Sequence, residues 1–529
     1  MVLMDFEWLF PILSVPFTSV MFTLVALLGG FLVIYLYRPY WSVRNFPGPP
    51  SRLVVGNLPL LAKYGADIIS VLAKQYGPVF RFYIGRKPII IIADAELIKE
   101  VGIKKYKDIP HKSPSPSLAA SPLHLMSLLM ARGTPWATMR NAILPFFQPT
   151  HVSELVPTMQ SVIETTTQNI GYQNEDFNIY QLILRQTIDM IGKTSLSVDI
   201  GLSKPKSFFN KEASDFLNSH IYCTSQLRLD LNAPFSIVMN MILPILTHPC
   251  REILKRIPGT SDYKLEHAEE KLCGYLDDII EKRMKDQSSK TSSKDFLSLV
   301  QDARESKAGS ENVFTPERIR ALAFEQLIAG ATPIAFTLTS ALYLVAGHPH
   351  VEKKLLQEID EFGPADQTPT AQDLDDKFPY LDQVIKEAMR IFVIAPLIPR
   401  ETSNEVEIGG YVLPKGTWVW FSPIAVAQDP KNFPEPEKFK PERFDPNCDE
   451  MKQRHPYAFV PFGIGPRACP GQKYALQQIK LSLIHLYSKY VFRHSSDMEF
   501  PLKLAYGFAQ GFVNGVKVRA IKRTDQRTY

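Results

Sequence analysis

Residues 462–471 are Phe-Gly-Ile-Gly-Pro-Arg-Ala-Cys-Pro-Gly (FGIGPRACPG), a glycine-rich loop directly before a predicted helix. The thiol of its cysteine, Cys469, is expected to have a lowered pKa, because a helix N-terminus and the neighbouring Arg467 both favour the thiolate. The glycines allow backbone amides to approach the sulfur. Since a thiolate is a strong axial ligand for haem iron, we predict that Cys469 is the metal ligand of a haem site.

The cysteine content favours a reducing compartment. The chain has 5 cysteines, an odd number at wide spacings without a CxxC pair, so no disulfide framework is predicted. Four of them lack the glycine-rich context of Cys469 and are predicted to be inert: Cys223, Cys250, Cys273 and Cys448.

An uncharged apolar segment near the N-terminus predicts a membrane anchor. Residues 17–37 carry no charge and as a helix would extend about 31 Å, enough to cross the hydrocarbon core. Arg38 and Arg44 follow the segment, which places the rest of the chain on the cytosolic side. We predict that residues 1–37 form a single-pass anchor, with a long signal peptide as the alternative. No later segment is predicted to be long and apolar enough to span a membrane.

The remaining chain is predicted to be mainly α with small β-sheets. Prolines in 46–50 exclude a helix interior there, so residues 38–50 are predicted to be a stiff hinge. Residues 78–93 and 405–420 have the alternation and turn residues of short strands. Most of 94–390 has helical periodicity, and 286–294 is predicted to be a surface loop.

Composition excludes two classes of protein. A charged fraction of 21% with 45% hydrophobic residues argues against disorder. A net charge of +5 over 529 residues is too small to indicate nucleic acid as the main partner.

With these motifs in place, the chain resembles the cytochrome P450 superfamily. The loop matches that family's haem-ligand motif at five positions: Phe462, Gly465, Arg467, Cys469 and Gly471. Trp136 and Arg140 match positions that bind a haem propionate. The resemblance covers residues 40–520 and implies that 51–529 form a P450 catalytic domain holding haem b.

A further match is Glu387-x-x-Arg390, which resembles the family's Glu-x-x-Arg helix. Residues three apart share a helix face, and Arg443 is expected to complete a buried charge network. Such a network is expected to maintain the fold rather than take part in the chemistry.

The oxygen-activating segment departs from the family pattern. Ala329-Gly330 lies in a long apolar helix predicted at about 315–346, where the family packs a small pair over the distal haem face. The family then has an acid followed by Thr, but this chain has Thr332 and Pro333. Three interpretations are open: water or substrate groups relay protons, the protein rearranges a peroxide substrate without NADPH, or Pro333 impairs activity.

The resemblance also implies partners and a location. It implies O2, electrons from NADPH through NADPH–cytochrome P450 reductase, a hydrophobic substrate, and the endoplasmic reticulum membrane with a cytosolic catalytic domain. Lys473 and the basic residues of 431–443 fit a positive face for an acidic reductase, or an ordinary solvated face. A non-catalytic haem sensor is the competing class.

Longer segments are similar to the plant carlactone oxidases of strigolactone biosynthesis, the MORE AXILLARY GROWTH subfamily. These segments are 38–59, 71–86, 340–363, 405–421 and 462–483. The similarity implies oxidation of a carlactone methyl group through alcohol and aldehyde to carlactonoic acid, and in some members onward to 4-deoxyorobanchol or orobanchol. That subfamily also lacks the acid but usually keeps Thr where this chain has Pro333. Another terpenoid substrate is the alternative.

Substrate contacts are predicted by position only. The segments expected to line the distal pocket are Ser115–Met130, Ala233–Leu246, Phe324–Phe336, Ala395–Ile398 and Tyr506–Phe512. They are mostly apolar, which suits a hydrophobic substrate. Residues 233–246 are interpreted either as a segment that dips into the bilayer or as a core helix. Arg400 is expected to reach a propionate or a substrate carboxylate, or to be structural.

Overall fold

The computed structural model describes residues 17–171, 175–285, 295–306, 310–507 and 509–523. The loop predicted at 286–294 lies outside the described residues. The described chain is mainly α-helical with four small β-sheets, as predicted.

Helices make up most of the domain. In chain order they are α1 Phe17–Ser42, α2 Leu58–Tyr64, α3 Ile68–Tyr76, α4 Ala95–Lys99, α5 Pro116–Ala119, α6 Pro122–Leu125, α7 Gly133–Ile143, α8 Pro149–Glu154, α9 Val156–Ile170, α10 Ile179–Ser195, α11 Lys211–Ser225, α12 Phe235–Ile242, α13 Thr247–Leu254, α14 Ser261–Lys285, α15 Phe296–Ser306, α16 Pro316–Ala346, α17 Pro349–Phe362, α18 Ala371–Asp376, α19 Pro379–Ile391, α20 Pro423–Ala427, α21 Asp449–Gln453 and α22 Gln472–Lys489.

The strands form one four-stranded sheet and three smaller ones. They are β1 Val79–Ile84, β2 Lys87–Ile92, β3 Phe177–Asn178, β4 Ile398–Glu401, β5 Val406–Ile408, β6 Tyr411–Leu413, β7 Trp418–Phe421, β8 Tyr490–His494, β9 Leu504–Ala505, β10 Gly511–Phe512 and β11 Lys517–Lys522. The largest sheet has the order β1-β2-β7-β4, with β2 and β7 parallel and the other pairs antiparallel. The strands predicted within 78–93 and 405–420 are confirmed.

Helix α16 is the centre of the helical core. Thr315 caps its N-terminus by accepting a hydrogen bond from the Arg318 amide at 3.3 Å, and Pro316 occupies the first turn. The helix packs against α10, α14, α19 and α22. By length and composition α16 is apolar enough to cross a membrane. The prediction that no segment after the anchor has this length and composition was therefore wrong. The most apolar part of α16 is 67% buried, which identifies a core helix.

The N-terminal helix α1 is longer than the predicted anchor. It continues through Pro39 to Ser42, so the first five residues of the predicted 38–50 hinge are helical. Residues 46–50 are non-helical, as predicted. Phe46 is buried and its ring stacks on Tyr411 at 4.6 Å, so the segment is docked on the domain. The apolar side chains of α1 before Tyr35 are largely exposed, as an anchor requires.

The predicted charge network is present and fully buried. Arg390 Nε donates to Glu387 Oε2 at 2.8 Å, and Arg443 Nε donates to Glu387 Oε1 at 3.0 Å. All three side chains have no exposed surface. Arg390 also donates to the backbone carbonyls of Ala427 and Pro436, so the network links α19 to the irregular chain before the cysteine loop.

Candidate active site

The cysteine loop closes tightly around Cys469. The Cys469 amide donates to the Phe462 carbonyl at 2.8 Å, and the Ala468 amide donates to the Gly465 carbonyl at 2.9 Å. Helix α22 begins three residues after the cysteine, and its N-cap is Gly471. The Gly471 amide hydrogen-bonds the Cys469 sulfur, as the glycine content predicted. A side chain at position 471 would lie against Phe147, 3.3 Å away, and 4.0 Å from the Cys469 Sγ.

The predicted lowering of the Cys469 pKa is wrong for the protein without a bound metal. Burial raises the pKa of the thiol, and the Gly471 amide, Lys112 and Arg140 offset only part of that rise. The physical reason is desolvation: the Cys469 side chain is exposed, but it borders a mainly apolar cavity inside the protein. The loop contacts favour the thiolate, as expected, but they do not outweigh this burial.

That cavity, of about 320 Å³, lies between α16, α7, β4 and the cysteine loop. Most of the predicted site residues border it: Trp136, Arg140, Ala329, Gly330, Pro333, Phe462, Arg467, Cys469 and Gly471. Two do not, Thr332 and Gly465. Its wall is mostly apolar, with residues such as Leu322, Ile334 and Val393.

Helix α16 presents one face to the cavity. Ala329, Pro333 and Thr337 border it at four-residue spacing. The hydroxyl of Thr332 is buried elsewhere and has no hydrogen-bond partner among the described residues. Thr332 is one residue, about 100° of helix rotation, from Pro333 and therefore lies off this face. Pro333 does not interrupt the helix, which continues to Ala346.

Gly330 both borders the cavity and allows close helix packing. Its backbone borders the cavity, while a side chain there would lie 2.4 Å from the Ile191 Cδ1 of α10. Close helix packing is thus part of the reason for this glycine.

A cluster of cations lies at one end of the cavity. Lys112, Arg140 and Arg467 border it, and the Arg467 guanidinium stacks on the Trp136 ring at 3.9 Å. Arg467 donates to the carbonyls of Pro110 and Ala131, both at 3.0 Å. Its Nη1 is buried without a partner among the described residues. Burial lowers the pKa of Arg467 to about 10. Burial, together with the positive charges of Arg400 and Arg467, lowers the pKa of Lys112 to about 7.

These residues fit a haem group. In the described structure the guanidinium groups of Arg140 and Arg467 form no ion pair with a carboxylate, and two propionates would supply the anions. A cysteine sulfur and an apolar wall match the iron and the ring. Arg400 is buried beside this end, with its Nη2 unpartnered in the described structure and burial lowering its pKa to about 9. Its geometry leaves both predicted roles, anion contact and structural support, in place.

Gly465 is a packing residue rather than a cavity residue. Its φ is +69°, and a side chain would lie 2.1 Å from the Gly102 carbonyl oxygen. The position thus holds the cysteine loop against the turn at 100–104. The presence of Gly465 in the motif did not indicate its contact with Gly102.

We expect Gly465→Ala to destabilise the protein. Backbone strain at positive φ costs about 1–3 kcal/mol, and the displaced Gly102 carbonyl costs about 1–3 kcal/mol more. The thermal unfolding midpoint measures the effect. Gly410→Ala is the matched control, because Gly410 has φ +82° with open space around it and carries only the strain. Equal midpoints for the two variants would contradict the Gly102 contact.

Two charged cavity residues were missed by the sequence analysis. Glu325 of α16 accepts hydrogen bonds from the amides of Leu128 and Leu129, at 2.7 and 2.8 Å. Lys112 borders the same cavity from the loop before α5. Glu325 lies four residues before Ala329, a spacing that places it on the same helix face, and this was the available signal.

The segments predicted to line the pocket contribute unequally. Segments 324–336 and 395–398 supply much of the wall, 115–130 supplies Leu128 and Leu129, and 506–512 supplies Ala509. Segment 233–246 supplies no wall residue in the described structure, so that part of the prediction was wrong. It folds as α12 and a 3₁₀ turn that leave Phe235 and Ile245 exposed by 54% and 73%.

The predicted positive face is largely neutralised. Lys473 pairs with Asp375, Lys440 with Glu450 at 2.6 Å, and Lys438 with Glu435. Arg443 is buried in the charge network. The alternative of an ordinary solvated face describes these charges better.

Comparison with known proteins agrees with the site. A family model described as Cytochrome P450 matches residues 46–514. Thromboxane-A synthase of Sus scrofa is 27% identical over 500 residues, covering 90% of this chain and 91% of the relative. Cytochrome P450 3A6 of Oryctolagus cuniculus is 28% identical over 494 residues, covering 91% and 93%. Cytochrome P450 3A12 of Canis lupus familiaris is 28% identical over 508 residues, covering 93% and 94%. None of these three is a carlactone oxidase by name, so the subfamily similarity rests on the sequence segments alone.

Proposed function

Because the chain belongs to the cytochrome P450 family, we propose that it is a membrane-anchored haem-thiolate monooxygenase that oxidises carlactone stepwise to carlactonoic acid. Like the family, it uses haem with electrons from NADPH through a reductase. The observation that carries the proposal is the cavity that joins Cys469, a cationic end and a mostly apolar wall.

The proposed haem contacts follow from that cavity. When bound, haem supplies the activation of O2 and the oxidation of a C–H bond. Cys469 would hold the iron, and Arg140, Arg467 and Trp136 would hold the propionate end. Phe462 and Gly471 would flank the cysteine side, and Ala329 and Gly330 would leave room on the opposite side.

The substrate class follows from the wall. Apolar side chains such as Leu322 and Val393 exclude water and orient a hydrophobic substrate through shape. Carlactone is proposed because of the five similar segments, and oxidation onward to 4-deoxyorobanchol or orobanchol is part of that proposal. Another terpenoid substrate would fit the same wall.

The proposed location is the endoplasmic reticulum membrane. Helix α1 supplies the single-pass anchor, and residues 43–50 join it to the catalytic domain. Arg38 near the C-terminal end of α1 and Arg44 after it favour a cytosolic domain. The exposed apolar side chains of Phe235, Ile245 and Ile253 support the proposal that this edge of the domain touches the bilayer.

A second candidate is the rearrangement of a peroxide substrate without NADPH. It is favoured by one observation, that Pro333 borders the cavity where the family has Thr while the Thr332 hydroxyl does not border it. Such a reaction would need no external electrons and no proton relay.

A single reconstitution separates these candidates. Membranes containing the protein and a plant reductase are given carlactone with or without NADPH, and products are followed by mass spectrometry. We expect carlactonoic acid only with NADPH. Absence of product from protein with a thiolate-type carbon monoxide spectrum would contradict the carlactone assignment. Conversion of an organic hydroperoxide without NADPH would support the second candidate.

A further inference from the structure

We call the part of the cavity along α16 the distal cavity. Among the described residues that border the whole cavity, one has a carboxyl group, Glu325. It lies on α16 four residues before Ala329 and eight before Pro333, about 6 and 12 Å along the helix axis. All three residues border the cavity on one helix face. The group therefore lies within the distal cavity, one helical turn from the Ala-Gly pair.

The carboxylate is held in a fixed position. Its two oxygens accept hydrogen bonds from the successive amides of Leu128 and Leu129, at 2.7 and 2.8 Å. These amides belong to the loop that leads into α7, the helix carrying Trp136 and Arg140. Glu325 thus connects the cavity face of α16 with the segment that enters the cationic end.

The surroundings of Glu325 bring the pKa of its carboxyl group close to neutral pH. Burial raises the pKa of Glu325 to about 7, while the amides of Leu129 and Leu128, the charge of Lys112 and the Ser127 hydroxyl lower it. Arg140 and Arg467 border the same cavity. Carboxyl groups in this condition are suited to general acid–base work at neutral pH.

The chain also lacks the usual acid of its family. The position three residues after Ala329 is Thr332, whose hydroxyl does not face the cavity. Protons consumed in oxygen reduction therefore need a source other than the family's usual acid, either water or another cavity group. Glu325 is the carboxyl group that the described cavity offers.

We propose that Glu325 delivers protons to the distal cavity from a position one helical turn before the Ala-Gly pair. This inference rests on the proposed monooxygenase function. In that reaction a C–H bond, O2, NADPH and one proton yield a C–OH bond, water and NADP⁺. The Glu325 carboxyl gives its proton to the oxygen atom that leaves as water, and the carboxylate then takes a proton from solvent.

The test variant is Glu325→Gln, which keeps an acceptor oxygen and nearly the same volume but carries no acidic proton. With NADPH and carlactone, we expect product per NADPH to fall at least tenfold. Removal of an acid–base group typically lowers the rate about 100–10,000-fold. We expect a smaller loss here because water partly takes over proton delivery. The lost product should be replaced by released hydrogen peroxide.

A peroxide-driven reaction separates proton delivery from a merely structural role. Hydrogen peroxide supplied in place of NADPH and O2 brings its own protons, since a C–H bond and H2O2 yield C–OH and water. We expect Glu325→Gln to match the unchanged protein in this reaction. An equal loss in the NADPH-driven and peroxide-driven reactions would overturn the proposal and assign Glu325 to loop positioning.

An infrared titration gives a readout that needs no turnover. In the haem-loaded protein, a carboxylic acid band should disappear as pH rises through about 7 and be absent from Glu325→Gln. Lys112→Gln should move this midpoint upward, because it removes a positive charge that favours the carboxylate. Absence of such a band would overturn the proposal. If carlactone is not oxidised by the unchanged protein, the substrate proposal fails while this titration still decides the protonation of Glu325.

Discussion

Replacing Cys469 with serine is expected to remove the thiolate-type carbon monoxide spectrum and to lower product formation by at least about 100-fold. Loss of a residue that only hydrogen-bonds a metal ligand already lowers activity by up to about 100-fold, and Cys469 is the proposed ligand itself. A serine hydroxyl stays protonated near neutral pH and donates much less electron density to iron than a thiolate. The cavity would keep its apolar wall and cations, so some haem binding should remain with an altered spectrum.

The control for this variant is Cys250→Ser. Cys250 lies on α13, has intermediate exposure and does not border the cavity. Its substitution should leave the spectrum and product formation unchanged. If Cys469→Ser kept a thiolate-type spectrum, another thiol would have to be the ligand, and the proposed site would be wrong.

Sequence predicted those parts of the site that depend on local pattern. The cysteine loop, Trp136 and Arg140 were identified from short motifs, and the structure places them around one cavity. The α19 pair followed from its three-residue spacing, and its hydrogen bond is present. The fold class was equally predictable, because helical periodicity and the strand at 78–93 are local signals.

Features that depend on distant contacts were not predictable. Gly465 packs against Gly102, more than 350 residues earlier in the chain, and the Glu325 carboxyl is fixed by amides almost 200 residues away. The Cys469 pKa was misjudged for the same reason, because the loop shows the favourable amide and charge but not the burial that outweighs them. Length and apolar composition likewise do not distinguish α16 from a membrane anchor, because the two helices differ in burial.

Removal of the Glu387 carboxylate is expected to destabilise the protein strongly. Glu387→Ala would leave the buried guanidinium of Arg390 without a carboxylate partner and that of Arg443 with Glu450 alone, 2.9 Å from its Nη1. Breaking a buried ion pair in this way typically costs about 3–5 kcal/mol. Since a whole domain has only about 5–15 kcal/mol of stability, little haem-loaded protein should accumulate.

A neighbouring glutamate isolates the effect of burial. Glu442 pairs with Lys354 at 2.7 Å and accepts a hydrogen bond from the Tyr380 hydroxyl at 3.0 Å, but its side chain is 36% exposed. Because exposed pairs contribute about 1 kcal/mol or less, Glu442→Ala should unfold in urea close to the unchanged protein. Equal unfolding midpoints for Glu387→Ala and Glu442→Ala would mean that backbone carbonyls already satisfy the buried arginines. The network would then contribute to the geometry of the cysteine loop rather than to stability, because Arg390 would still hold the carbonyls of Ala427 and Pro436.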